Sequence, residues 1–365
     1  MNILILNSIL YTPDGESNIP TVRTIKDTMI YGMCLGFLHL GHSVTLASVE
    51  DYRPVETEVY DFDVRFFKTN CKRIFKPSVL PYSSEMKKYL KKHCKDFDII
   101  ISSEAFQFQS LYAARICPQK TIIWHELALH PSKFHKIPSK IWYNVIVRFF
   151  MQKVKGIVPR SKEADLFISK YFKRVSETYI EHGINLRQFS CSKEKSNYLI
   201  YVGQLIKRKN ITSILHKFCN YVSKFDSTCK LLIIGRGEQN EELKETVADL
   251  GIKSNVVFVG FVDHHTLNKL MMRSKAMLID TLQDNNMVSI PECIVSGTPV
   301  LSNLVPTNAD IIIDNRLGIA KQEWNEADIK EIVDNNGYFV ENCISYREKL
   351  SCEFAAKSFI KIFNS

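Results

Sequence analysis

The pattern of this chain predicts an α/β protein built on two parallel sheets. Short apolar runs alternate with helical stretches twice over, first from residue 3 to about 161 and again from 198 to 302. The runs lack polar alternation, as expected of strands covered on both faces. At 365 residues the chain is long for one core and suits two domains of ordinary size.

Taken in order, residues 3–6 read as the first strand. A turn-rich loop over 11–18 containing Gly15 follows, then a helix over about 21–40, and Gly41-His42 opens the next strand. Residues 83–95 form a lysine-dense helix, read first as a solvated face and second as a patch for anionic headgroups. Residues 98–101 and 121–126 are strands, the latter ending at His125. Residues 136–155 mix aromatics, aliphatics and bases; they suit a helix packed on the core or one lying at a membrane interface. A strand at 157–161 and a helix near 164–171 close the first half, and polar residues 190–197 read as a linker. In the second half, strand 198–202 leads through Gly203 and a basic loop to a helix with Ile211, Ile214, Leu215, Phe218, Val222 and Phe225 on one face. Strand 230–234 is followed by Gly235 and Gly237. Strand 255–262 follows a surface helix over 239–250, and strand 275–280 follows a short helix at 267–273.

Composition narrows the function classes. The 45% hydrophobic and 24% charged content is that of a globular protein. Forty-eight basic against 39 acidic residues leave +9, a balance that suits an anionic partner. The bases are spread along the chain and form no nucleic-acid module, so nucleic acid is not expected. The ten cysteines form no CxxC pair and no zinc-like cluster, and read as reduced, mostly buried thiols of a cytoplasmic protein. The first residues lack the basic leader of a signal peptide, and no apolar run approaches the ~20 residues of a membrane span.

The chain is organised around residues 284–303, DNNMVSIPECIVSGTPVLSN. A polar entry leads into a helix near Ser289, Pro291 fits the first helical turn, Gly297 supplies the stop, and 298–302 leaves as a strand. A loop feeding a helix N-terminus presents backbone amides to an anion. Asp284 and Glu292 bracket it, eight positions apart. This stretch resembles the signature of the family-4 retaining glycosyltransferases (GT-B fold, glycosyl transferases group 1): two acids separated by seven residues, then a small residue and Gly-Thr-Pro-Val. The family has Glu at both ends, so Asp284 departs from it. The opening strand, loop and Gly-His segment and the loop Gly203–Asn210 are similar to the same family, whose phosphate loop carries an Arg and a Lys. Lys209 matches the Lys, Gln204 stands at the usual Arg, and Arg208 is the candidate substitute.

The resemblance implies two Rossmann-like domains facing across a cleft. The first spans residues 1–192, with the terminal helix of about 346–365 packed back on it; the second, nucleotide-sugar-binding domain spans 193–345. It implies a retaining transfer from a nucleotide-sugar to a saccharide hydroxyl, on one face of the sugar, without metal or cofactor. Lys209, Arg208 and the amides after Asn286 would meet the diphosphate, Glu292 the ribose hydroxyls, and Asp284 the donor sugar, with His125 reaching toward that sugar. Gly203, Gln204, Gly235, Gly237, Phe261, Val262, Asn285, Asn286, Met287 and Val288 complete the donor site, and Gly15 belongs to the acceptor side. The basic balance extends this to a lipid-linked acceptor in bacterial surface-polysaccharide assembly (capsule, O-antigen or exopolysaccharide), with peripheral contact to an anionic membrane on its cytoplasmic face. Two alternatives stay open. Gln204 and Asp284 keep alive a non-catalytic relative that binds nucleotide-sugar or a partner protein, and a third reading is a nucleotide-sugar epimerase.

Overall fold

Unbroken apolar runs become interior strands because neither face of such a run meets water. In β1 (Asn2–Leu6) the residues Ile3, Leu4, Ile5 and Leu6 are all fully buried. A computed structural model describes residues 1–11, 19, 22–26, 28–131, 136–181, 183–284 and 286–365. These form two compact units, Met1–Asn185 with Ser351–Ser365 and Leu186–Leu350, so the chain divides at 185/186 and 350/351.

In the first unit, β1 is followed by α1 (Met29–His39), β2 (Ser43–Val49), β3 (Asp63–Phe67), α2 (Ser84–His93), β4 (Ile99–Ser103), α3 (Phe108–Ile116), β5 (Thr121–His125), α4 (Ile137–Ile141), β6 (Gly156–Pro159) and α5 (Lys162–Ile168). The described strands pair in parallel in the order β3-β2-β1-β4-β5-β6. The helix expected from about residue 21 starts later, because the Thr28 hydroxyl caps it by accepting from the Tyr31 amide. In α2 only Met86 and Leu90 are buried and the lysines are exposed, which gives the solvated face.

Beyond Ile141, α4 runs on through Trp142–Phe150 in wider i→i+5 turns. Trp142 and Tyr143, the aromatics that suggested a headgroup belt, point inward; the Trp142 indole donates to the Ala105 carbonyl at 2.9 Å. The reading of ten reduced thiols is corrected at one pair. Cys94, just beyond α2, and Cys117, just beyond α3, are disulfide-bonded with Cα atoms 6.2 Å apart. A separation of 23 positions gives no motif, and only the alignment of the two helix ends brings these thiols together. The other cysteines are free and mostly buried.

The second unit contains β7 (Tyr198–Val202), α6 (Ile211–Lys224), β8 (Lys230–Ile234), α7 (Asn240–Asp249), β9 (Val256–Gly260), α8 (His264–Arg273), β10 (Met277–Ile279), α9 (Ser289–Val295), β11 (Val300–Ser302), α10 (Asp310–Asp314), β12 (Gly318–Ala320), α11 (Glu326–Asp334) and α12 (Asn336–Tyr346). Its described strands are parallel in the order β12-β11-β10-β7-β8-β9. The apolar face of α6 is buried as its period predicts, except that Tyr221 is buried in place of Phe225, which lies half exposed beneath the Lys330 ammonium. The last helix, α13 (Cys352–Asn364), is capped by Ser351 and completes the first unit. It packs on α1, with Ala355, Ala356 and Phe359 in the same core as β1. Two sheets of this parallel, helix-covered kind are the expected α/β architecture.

Candidate functional site

In open parallel sheets, ligands bind beyond the carboxyl ends of the strands where the strand order reverses. In the second unit that point lies between β7 and β10. The loops after β7, β8 and β9 are stitched together there by their backbones. Gly203 donates to the Ile234 carbonyl at 3.0 Å, Leu205 to Arg236 at 3.0 Å, and Gly235 to Gly260 at 2.9 Å. The approach is closest at Gly235, whose φ is 142° and where a Cβ would fall 1.9 Å from the Gly203 oxygen. The same crowding meets Gly237, where a Cβ would lie 2.2 Å from the Leu205 oxygen.

The basic loop makes a single 3-10 turn, Lys207–Lys209, that stops at Asn210 in the left-handed region. This turn is fastened to the end of β10: the Leu282 amide and the Thr281 hydroxyl donate to the Arg208 carbonyl at 2.8 and 2.9 Å. The Lys209 ammonium therefore meets an Asp284 carboxylate oxygen, and the Arg208 guanidinium lies 3.3 Å from that same oxygen. Arg208 also donates to the Gln283 carbonyl at 3.0 Å. Lys209 and Asp284 are largely buried. Two cations on one carboxylate leave a net positive charge that an incoming diphosphate can meet, and bidentate guanidinium geometry suits such oxygens. Gln204 is exposed, and its backbone carbonyl accepts from the Tyr201 hydroxyl at 2.9 Å.

The organising loop is clamped by a residue that sequence reasoning passed over. The Asn308 side chain accepts from the Met287 amide at 3.1 Å and donates to the Met287 carbonyl at 3.0 Å. Of the amides after Asn286 expected to meet the diphosphate, that of Met287 is therefore already engaged. Helix α9 begins at Ser289 with Pro291 in its first turn, and Gly297 follows it at φ 76°. Glu292 sits in that turn, half buried, and its carboxylate has no hydrogen-bond partner among the described residues. Burial pushes its carboxyl up to about 7. Val288 is exposed, and a buried Asn286 oxygen has no partner among the described residues. Phe261 is 72% exposed with the Arg236 guanidinium 5.0 Å from its ring centre, beside half-buried Val262. Asn285 and Gly15 lie outside the described residues.

In the first unit, His125 ends β5 fully buried, its Nδ1 3.1 Å from a Glu104 carboxylate oxygen. Its Nε2 has no hydrogen-bond partner among the described residues. Glu104, next after β4, is a second residue that sequence reasoning missed. It holds φ 68°, which few non-glycine residues adopt, and accepts from the Glu126 amide at 2.5 Å. Burial alone would raise its carboxyl, but the charges of His125 and Arg160 and the bond from His125 hold it below the ordinary value. Arg160, next after β6, pairs with Glu126 at 2.5 Å, donates to the Ser103 hydroxyl at 3.0 Å and covers the Trp124 ring at 3.7 Å.

Residues 184–337 match the family model described as Glycosyl transferases group 1. That match takes in most of the second unit, Leu186–Leu350. Over the whole chain the fold is that of solved glycosyltransferase structures. Sucrose-phosphate synthase from Thermosynechococcus elongatus superposes with a TM-score of 0.67 at 13% identity, covering 100% of this chain and 98% of that one. Anabaena HepE in complex with UDP superposes at 0.66 and 11% identity, covering 100% of both. Among sequence relatives, an uncharacterized glycosyltransferase of Methanocaldococcus jannaschii is 26% identical over 191 residues, covering 50% of this chain and 48% of its own length. The alpha-monoglucosyldiacylglycerol synthase of Streptococcus pneumoniae is 24% identical over 197 residues, covering 50% and 44%. The chain thus spans about half the length of the curated relatives it matches.

The match covers the whole run from β7 to α11, and so every residue of the Arg208–Lys209–Asp284 cluster. The signal that could have found Glu104 is its place as the first residue after the buried strand β4. Asn308 carries no such signal, because only the fold brings it to Met287.

Proposed function

We propose that this chain is a retaining glycosyltransferase that moves a sugar from a nucleotide-sugar to a saccharide hydroxyl. The observation that carries this reading is the convergence of Arg208, Lys209 and Asp284 at the strand-order reversal of the unit that the group 1 glycosyltransferase model matches. The two cations stabilise the charge that grows on the leaving diphosphate. As the diphosphate draws Lys209 and Arg208, Asp284 is released to accept from hydroxyls of the donor sugar. Glu292, as a carboxylate, accepts from the ribose hydroxyls, and the donor phosphate takes the acceptor's proton on the face the leaving group vacates. The same reading gives His125 a part in transfer and needs neither metal nor cofactor. The HepE neighbour is a complex with UDP, and the pneumococcal relative is named for a monoglucosyldiacylglycerol. These support a nucleotide-sugar donor and a lipid-linked acceptor handled at the cytoplasmic face of the membrane, in surface-polysaccharide assembly. Among the described residues no helix is long and apolar enough to cross a membrane.

Calorimetric titration of UDP, GDP and ADP tests the site. One nucleotide should bind selectively, and Glu292→Ala should weaken it. With the matching donor, Lys209→Ala and Glu292→Ala should each slow transfer roughly a hundredfold; near-normal rates in both would sink the assignment. The anomeric configuration of the product, read by NMR, tests retention. The exposed, neutral Gln204 favours a second reading, a non-catalytic subunit that binds nucleotide-sugar. Donor binding with no turnover across many acceptors would support it.

A further inference from the structure

The helix that starts at Ile137 and runs on to Phe150 has a buried side and an apolar outer side. Inward, Trp142, Tyr143 and Val147 join the core around Ile123 and Ile157. Outward, Ile137, Ile141, Val145 and Phe149 are 57%, 58%, 43% and 71% exposed. They recur every fourth residue. In an α-helix of 3.6 residues per turn, residues four apart drift steadily around the axis; the wider turn from Trp142 reverses that drift and keeps the four in one row. A row of this kind facing water is a contact surface rather than scattered surface apolarity.

The charge around it is of one sign. Residues 127–162 contain no Asp or Glu and eight Lys or Arg. Lys136, Lys140, Arg148 and Lys153 are exposed on or beside the helix. Past Phe149 an open groove of about 1030 Å³ continues the surface, with Lys170, Lys173 and Arg174 in its lining. Two acids, Asp165 and Glu177, also line it, and Asp165 is engaged by the Ser169 hydroxyl at 2.7 Å and the Tyr179 hydroxyl at 3.1 Å. A second copy of this face would set like charge against like, which disfavours self-association.

We propose that the helix over residues 137–150 docks the protein on an anionic lipid bilayer. The row Ile137, Ile141, Val145 and Phe149 enters the headgroup–acyl boundary, while Lys136, Lys140, Arg148 and Lys153 meet lipid phosphates. This deepens the membrane-proximal reading of the acceptor and rests on it. The inward turn of Trp142 and Tyr143 leaves Phe149 as the aromatic anchor of the row.

The test is co-sedimentation of the full chain with vesicles of phosphatidylcholine alone and of phosphatidylcholine mixed with phosphatidylglycerol. The wild type should partition onto the anionic vesicles. Ile141→Glu combined with Phe149→Glu should weaken that partition by about tenfold or more, and Lys140→Glu combined with Lys153→Glu by a similar factor. Both pairs replace exposed side chains, and circular dichroism with nucleotide calorimetry should show fold and donor binding unchanged. That second readout separates a failed docking surface from a failed transfer reading. Equal binding to both vesicle types, binding to neither, or undiminished binding by the variants overturns the proposal. So does a wild-type dimer in light scattering that the Glu variants dissociate.

Discussion

Glu292 shows how one side chain ties stability and function to pH with opposite signs. Its carboxyl is raised by burial from 4.5 to about 7. The folded state therefore holds the proton more tightly than the unfolded chain, and the stability this group contributes is lost as pH rises through about 7. In the proposed donor site nucleotide binding would run the other way, because the carboxylate is the better acceptor for ribose hydroxyls. Calorimetry should show affinity increasing as pH rises through about 7 in the wild type and a flat profile in Glu292→Gln. Glu104 has the reverse linkage. Its folded value is depressed, so its stabilisation is present above the ordinary carboxylate range and lost as pH falls through the folded value. Glu104→Gln leaves His125 without its anionic partner and should cost on the order of 2 kcal/mol at neutral pH. Urea denaturation across pH should show that deficit shrinking toward acid.

At the scale of elements, legibility followed burial. Strands β1, β4, β5, β7 and β8 were readable because they lie inside their sheets and carry nearly continuous apolar runs. The sheet edges β3 and β12 were passed over. The first is half-exposed and contains Asp63 and Arg65, and the second has three residues that include a glycine. An edge strand has less to bury, so its sequence carries less signal. The packing of α13 on α1 depends on Gly36, where a Cβ would lie 2.2 Å from the Cys352 carbonyl oxygen. A backbone atom cannot swing aside as a side chain can. Gly36→Ala should therefore destabilise the first unit by about 1–3 kcal/mol, read as an earlier urea midpoint, with nucleotide affinity retained.

For the whole molecule, the chain's last helix belongs to the unit it is farther from in sequence. Deleting residues 351–365 uncovers the core that Phe359 shares with Phe37 and Trp124. Hydrogen exchange should then show lost protection in α1 and β5 and retained protection in α6 and β8; uniform loss would contradict two separately cored units. The sequence by itself determined the two parallel α/β sheets, because strand burial and helix period are local patterns that one-dimensional spacing preserves. It also marked Lys209, Asp284 and Glu292, since these lie in stretches whose order of residue types resembles a known signature. Only the tertiary structure decided that Arg208 converges with Lys209 on one carboxylate oxygen, that Asn308 takes the Met287 amide, and that Glu104 stands behind His125. These are contacts between residues 21 to 76 positions apart. Separations of that kind leave no periodicity in the chain, and the packing of strand ends is what brings them within reach.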